Sequence, residues 1–168
     1  EHAFLLRKLK QSAAHVIDPA LEPTVLRMQT TGGSAWSRLR NDLGANLMIP
    51  FEKDGKSETL PLSAIRGLAY DASADVRRRA YEAEIAAYPR IEIPMAACLN
   101  GIKGEALTLM ELRHYDSVLD SALDVSRMDR ETLDALLDVM RESLPMFRRY
   151  FRLKAKMLGY EGGLKFCD

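Results

Sequence analysis

Apolar residues recur every three or four positions along most of this chain, and that period predicts helices. Phe4, Leu5, Leu9, Ala13 and Val16 mark a first helix over His2 to His15. Asp18-Pro19 then reads as a helix start, with a second helix to about Gln29 that turns Leu21, Val25 and Met28 inward. A loop over Thr31 to Ser34 precedes a helix to about Gly44, on which Trp36, Leu39 and Leu43 share a face. Leu47 to Glu52 breaks the helical period. It is rich in strand formers, is followed by Asp54-Gly55, and can pair with Ser57 to Leu60 as a hairpin. Pro50 places its strand at an edge or a bulge.

Helical spacing resumes at Pro61-Leu62-Ser63 with Ile65, Leu68 and Tyr70. Ser73 caps a longer helix whose stripe is Val76, Ala80, Ala83 and Ala87, broadened by Tyr81, Ile85 and Tyr88. Pro89 and Pro94 interrupt it. The stripe then continues as Met95, Cys98, Leu99, Ile102, Ala106, Leu109 and Leu112, ending near His114-Tyr115. Ser117 to Ser126 reads as a connector with one helical turn at Leu119 to Leu123. Asp129 caps the last helix, with Met128 and Leu133 placed for a hydrophobic staple. Leu133, Leu136, Leu137, Met140, Leu144, Phe147 and Phe151 mark its face, Pro145 predicts a kink, and Gly159 closes it. Acidic residues fill its first turns and basic residues its last, an order that offsets the helix dipole at both ends. The fold expected is mostly α: a multi-helix array with one small β-hairpin (about Leu47 to Leu60) and a long kinked C-terminal helix.

Composition narrows the function classes. The 168 residues carry 24 basic and 24 acidic side chains, so net charge is zero. That argues against a dedicated nucleic-acid or membrane-surface binder. No apolar run is long enough to span a bilayer, and the Glu1-His2 opening lacks the charge order of a signal peptide. Cys98 and Cys167 lie far apart, Cys98 inside an apolar stripe, which suits a buried thiol in a reducing cytoplasm rather than a disulfide. The start inside a helical pattern and the stop at Phe166-Cys167-Asp168 both look like cuts in a longer protein.

The candidate chemistry is thin. The zinc-peptidase helix motif H-E-x-x-H is absent, and His2, His15 and His114 lack such neighbours. Glu111 to His114 is one E-x-x-H, where a di-iron bundle needs two such motifs and two more glutamates; a histidine at a helix C-terminus is the plainer reading. Gly32-Gly33-Ser34 before a helix could cradle a phosphate, but no Lys follows at the right place. Arg77-Arg78-Arg79 and the Arg148 to Lys156 run point in several directions around their helices and read as solvated faces. Tyr81 and Tyr88 fit core packing with the hydroxyl at the edge. No G-x-S-x-G elbow appears.

Taken as phrases, several stretches resemble one family. Thr31-Gly32-Gly33-Ser34-Ala35-Trp36-Ser37-Arg38-Leu39, Asp75-Val76-Arg77-Arg78-Arg79-Ala80-Tyr81-Glu82, Asn100-Gly101-Ile102-Lys103-Gly104-Glu105 with Leu107-Thr108-Leu109, Tyr115-Asp116-Ser117 with Leu119-Asp120, and Ser126 to Leu133 look like the oligoendopeptidase F family, in the family's order. Arg148 to Leu158 matches too. The resemblance implies a cytoplasmic, mostly helical zinc metallopeptidase related to thimet oligopeptidase, which cleaves short peptides inside a channel. Its zinc is held by an H-E-x-x-H helix and a later glutamate, all C-terminal to the region resembled here, so no catalytic or metal residue carries over to this chain. Zinc would belong to the parent enzyme and none to this piece. Residues 1–70 would form the N-terminal region with the hairpin, and 71–168 the start of the peptidase domain. The partners implied are an oligopeptide substrate and the missing catalytic domain, with no nucleic acid and no membrane. Gly32, Gly33, Ser34 and Trp36 are the candidate peptide-channel contacts, with a structural turn as the plainer reading. The rival from another class is a stand-alone helical interaction module without catalysis.

Overall fold

A computed structural model describes residues 2–53 and 55–167. Glu1, Asp54 and Asp168, which belong to the opening, turn and closing motifs above, lie outside the described residues. The chain forms α1 (Ala3–Ala13), α2 (Glu22–Thr31), α3 (Gly33–Ala45), β1 (Met48–Lys53), β2 (Lys56–Pro61), α4 (Leu62–Gly67), α5 (Ala74–Ala87), α6 (Glu92–Leu112), α7 (Val118–Ser126) and α8 (Arg130–Met157). Single 3-10 turns follow α4 at Leu68–Tyr70 and α5 at Tyr88–Arg90. The mostly helical fold with one hairpin is as expected. Its residues group into two compact units, Glu1–Gly44 with Ile91–Arg127 and Ala45–Arg90 with Met128–Asp168.

In the second unit the hairpin is the organising element. β1 and β2 pair antiparallel, with Ile49 opposite Leu60 and Phe51 opposite Glu58. Leu47, Ile49 and Phe51 alternate inward and are buried, as are Leu62 and Ile65 of α4 and Val76, Ala80 and Ala87 of α5. β1 packs on α4 and α5, and those helices pack on each other. Two strands alone are marginal in water, and full burial of each Leu, Ile or Val contributes about 1.5–3 kcal/mol. The small side chains of α5 are what let the sheet lie close. Ser73 caps α5 by accepting from the Val76 N–H at 3.4 Å, as its position predicts. The C-terminal tail is tied to the same helix: Arg77 Nε donates to the Cys167 carbonyl at 3.0 Å, and the Tyr81 and Phe166 rings lie 5.5 Å apart. Asp129 caps α8 through the Thr132 N–H at 2.7 Å, and the helix continues past Pro145 to Met157.

In the first unit, α1 and α7 are joined by the Lys8–Asp124 ion pair at 3.3 Å. His15 stacks on Tyr115 with ring centroids 3.7 Å apart, and its Nδ1 lies 2.9 Å from the Arg113 carbonyl, which makes that nitrogen the donor.

Five expectations change. The Asp18 start gives a turn, because its carboxylate takes the Ala20 N–H at 2.8 Å and the helix begins only at Glu22. The half-buried line of α2 is therefore Val25 and Gln29, and Leu21 and Met28 are exposed. The Thr31 to Ser34 loop shrinks to Gly32, with helix on both sides. Ser117 to Ser126 is a full helix, since the Ser117 hydroxyl accepts from the Asp120 N–H at 3.1 Å and supplies a cap. The face expected on α8 is largely solvent-facing: Leu136, Met140, Leu144, Phe147 and Phe151 are all exposed.

Helix ends supply a test. The N–H of His114 bonds the Glu111 carbonyl and that of Tyr115 the Met110 carbonyl, a Schellman closure of α6. Gly159 closes α8 the same way, through the carbonyls of Lys156 and Ala155. Both require the left-handed region, at φ 56 for His114 and 80 for Gly159. A side chain there costs roughly 1–2 kcal/mol that glycine avoids. His114→Gly should thus raise the urea midpoint of the chain, by about 1 kcal/mol of stability. An unchanged or lowered midpoint contradicts this end geometry.

Candidate functional site

The Thr31 to Leu39 stretch and the Asn100 to Glu105 stretch meet in space. Gly32 ends α2 and starts α3: its N–H bonds the Met28 carbonyl at 2.8 Å, and its carbonyl accepts the Trp36 N–H at 3.1 Å. The buried N–H of Gly33 donates to Glu105 Oε2 at 2.6 Å. A helix start leaves several N–H groups without intrahelical partners and carries partial positive charge. The Glu105 carboxylate, reaching over from α6, answers both. One turn further along α3, the Trp36 indole lies on Gly101 of α6. The two helices therefore pass in opposite senses, Gly33 at Glu105 and Trp36 at Gly101.

Both contacts need glycine. A Cβ on Gly101 would lie 2.5 Å from Trp36 Cδ1 and 2.6 Å from its Nε1. A Cβ on Gly33 would lie 2.5 Å from Glu105 Oε1, and one on Gly32 would overlap Oε2. The three glycines are clearance for one carboxylate and one indole. Of the candidate contacts, Gly33 is buried, Gly32 half-buried, Ser34 exposed, and Trp36 is 36% exposed. The N–H that a phosphate or a peptide carbonyl would use at Gly33 is already taken. Spacing within the chain does not reveal Glu105 as the capping partner, because it is 72 residues away.

Other polar groups are committed to structure. Tyr115 Oη donates to Asp124 Oδ2 at 2.9 Å. That hydrogen bond, with help from Lys8, holds the Asp124 carboxyl below the usual carboxylate range, and burial first, then Asp124, pushes the Tyr115 hydroxyl up. Arg66 bonds Glu84 at 2.8 Å and the Tyr88 hydroxyl at 2.7 Å, and Tyr88 in turn donates to Glu84. Arg77 donates to the carbonyls of Asp71 and Ala72, Arg78 pairs with Asp75 and Glu82, and Arg79 pairs with Asp75 and lies 5.4 Å over the Phe51 ring. The arginine run is thus three separate internal ties. Tyr88 serves an ion pair, and Tyr81 meets the exposed Phe166 ring at the surface, so Tyr81 is not the core residue expected. His114 serves a helix end. No cluster of three His, Cys, Asp or Glu side chains able to hold a metal occurs among the described residues.

The chain is 26% identical over its whole length to the group B oligopeptidase PepB of Streptococcus agalactiae, and spans 28% of that protein. It is 27% identical over 68% of its length to a plasmid-encoded oligoendopeptidase F of Lactococcus lactis, of which it spans 20%. Its fold matches a crystal structure of oligoendopeptidase-F from Enterococcus faecium with a TM-score of 0.79 and 21% identity, over 95% of this chain and 32% of that one. No protein-family model matches. Over its whole length the chain is similar to proteins of the oligoendopeptidase F family. It spans between a fifth and a third of the relatives it matches, in their N-terminal part. Within the family frame, two of the phrases that carried the resemblance are the two halves of one helix contact. No helix among the described residues is long and apolar enough to cross a membrane.

Two measurements follow. Glu105→Ala leaves the Gly33 N–H buried and unpaired and should cost about 1–2 kcal/mol, with Glu105→Gln recovering part of it; Gly101→Val should cost about 1–3 kcal/mol by displacing the indole. Urea denaturation reads both, and wild-type stability in either variant contradicts the contact. In the longer protein, Gly33→Val separates packing from binding: stability falls while peptide affinity per folded molecule stays unchanged. The second measurement is of acid stability. A depressed carboxyl contributes stability that is complete above its unfolded value near ~3.9 and is lost as pH falls through the lower folded value. The stability gap between wild type and Asp124→Asn should therefore be widest at neutral pH and narrow below about pH 4. A gap that widens in acid contradicts it.

Proposed function

We propose that this chain is the channel-wall, N-terminal part of a zinc metalloendopeptidase that hydrolyses short oligopeptides in the cytoplasm. In this reading, residues 1–70 form the N-terminal region and 71–168 begin the peptidase domain. The zinc, its histidines and the general base come from protein beyond these 168 residues, and the chain alone is inactive. The observation that carries the reading is the full-length match to a portion of the oligopeptidase PepB, joined to a sequence without H-E-x-x-H. The polar clusters described above are all spent on helix ends and ion pairs, which suits a wall better than a reaction centre.

The second reading, a helical interaction module, draws on one specific observation. Phe147 and Phe151 remain 48% exposed on α8. Faces like this mark contact surfaces, and both the missing part of an enzyme and a separate partner would cover them. The reading frame around the chain discriminates, because an H-E-x-x-H downstream belongs to the first reading only. The purified chain with added zinc should not cleave a quenched fluorescent peptide, whereas the longer frame should, with loss on chelation. Chelator-sensitive cleavage by the 168-residue chain overturns the assignment, as does an inactive longer frame.

A further inference from the structure

The two edges of the hairpin are chemically unlike. Pro50 has no N–H, so it occupies an outward, non-bonded position of β1, and the Leu62 N–H bonding the Leu47 carbonyl sets the same alternation. Met48, Pro50 and Glu52 therefore point their backbone away from β2. That edge is closed. Arg90 takes the Met48 carbonyl at 2.7 Å, Arg79 takes the Glu52 carbonyl at 2.7 Å, and Pro50 offers no donor. By the same alternation, Ser57 and Thr59 of β2 present their N–H and C=O groups outward. Lys56, Ser57, Glu58 and Thr59 are all exposed, and no other strand joins the sheet among the described residues.

We propose that the outer edge of β2 binds an extended oligopeptide as a third, antiparallel strand. This rests on the peptidase reading above and adds a peptide subsite remote from any zinc chemistry. Main-chain pairing at Ser57 and Thr59 supplies sequence-tolerant affinity, which is how exposed sheet edges take peptides. Antiparallel direction brings the peptide's C-terminal end beside Lys56, whose ammonium receives a free carboxylate. The peptide residue opposite Glu58 shares its face, where a shallow depression of about 210 Å³ is lined by Phe51, Lys53, Lys56, Glu58, Leu60 and Leu68. Glu58 favours a basic side chain there. A second copy of β2 is a poor occupant. The self-paired register that uses both Ser57 and Thr59 sets Glu58 against Glu58, and like charges directly opposite are destabilising.

The probe is acetyl-Val-Thr-Lys-Thr with a free C-terminus, which places its lysine opposite Glu58 and its carboxylate at Lys56. Titrated into the 168-residue chain, it should shift and protect the Ser57 and Thr59 amides in NMR spectra, with one binding curve. Amidating the C-terminus should weaken binding about two- to five-fold, the scale of an exposed ion pair, and Lys56→Gln should remove that difference. Thr59→Pro should abolish the shifts, and the amidated peptide repeats the test without any variant. Binding that leaves Ser57 and Thr59 unmoved overturns the proposal. So does no binding, or concentration-dependent self-pairing through β2. In the longer frame, Thr59→Pro should raise KM for such peptides with kcat kept. Normal hydrolysis with unchanged KM sinks the edge subsite alone, while absence of hydrolysis in wild type sinks the peptidase reading.

Discussion

The Glu105 carboxylate on the Gly33 N–H at the start of α3, with Trp36 seated on Gly101, is the constraint on which the first unit depends. It sets α3 and α6 apart by one carboxylate at Gly33 and by one indole at Gly101. A hydrogen bond to a charged acceptor is stronger than a neutral one, and losing it leaves the buried Gly33 donor unpaired. The clearance it requires explains three glycines at once. It also decides what the Gly-Gly-Ser stretch cannot do. A helix start whose exposed anion site is filled by its own chain has no vacancy for a phosphate.

The second unit solves a different problem by similar means. A lone hairpin needs cover on one face and protection along its edges. Leu47, Ile49 and Phe51 gain the cover from α4 and α5. The edge of β1 is protected by Arg79 and Arg90, so the arginine run that reads as a charged surface in sequence is partly a device for sealing a strand. Among the described residues no side chain seals the outer edge of β2 in this way. The asymmetry within one small sheet, rather than exposure alone, is what singles out β2 as a place where extended chain can add.

Much of this was legible in the residues. The hairpin followed from a short strand-forming run and a turn, α5 from Ser73 and a four-residue stripe, and α8 from Asp129 and a long apolar face, because each signal is local. Failures came where a distant or competing group decided the outcome. Asp18 satisfied the Ala20 N–H and delayed α2. Ser117 capped a nine-residue helix whose serines and aspartates read as turn formers. Gly32 alone replaced a four-residue loop because Glu105 lets α3 begin at once. The site was legible as a phrase but not as a geometry: Gly32, Gly33 and Trp36 stood out, while Glu105 and Gly101, their partners, stood out only as part of another phrase. Family likeness joined the two phrases in order, and only the fold joined them in contact.

The Gly33 amide is a structural donor, and its hydrogen exchange measures that directly. In the folded chain it should exchange as slowly as amides inside α6, and in Glu105→Ala it should exchange faster than its helical neighbours while the rest of α3 stays protected. A Gly33 amide that exchanges as fast as an exposed loop in the wild-type chain would contradict the central claim and return the glycine stretch to the list of open binding loops.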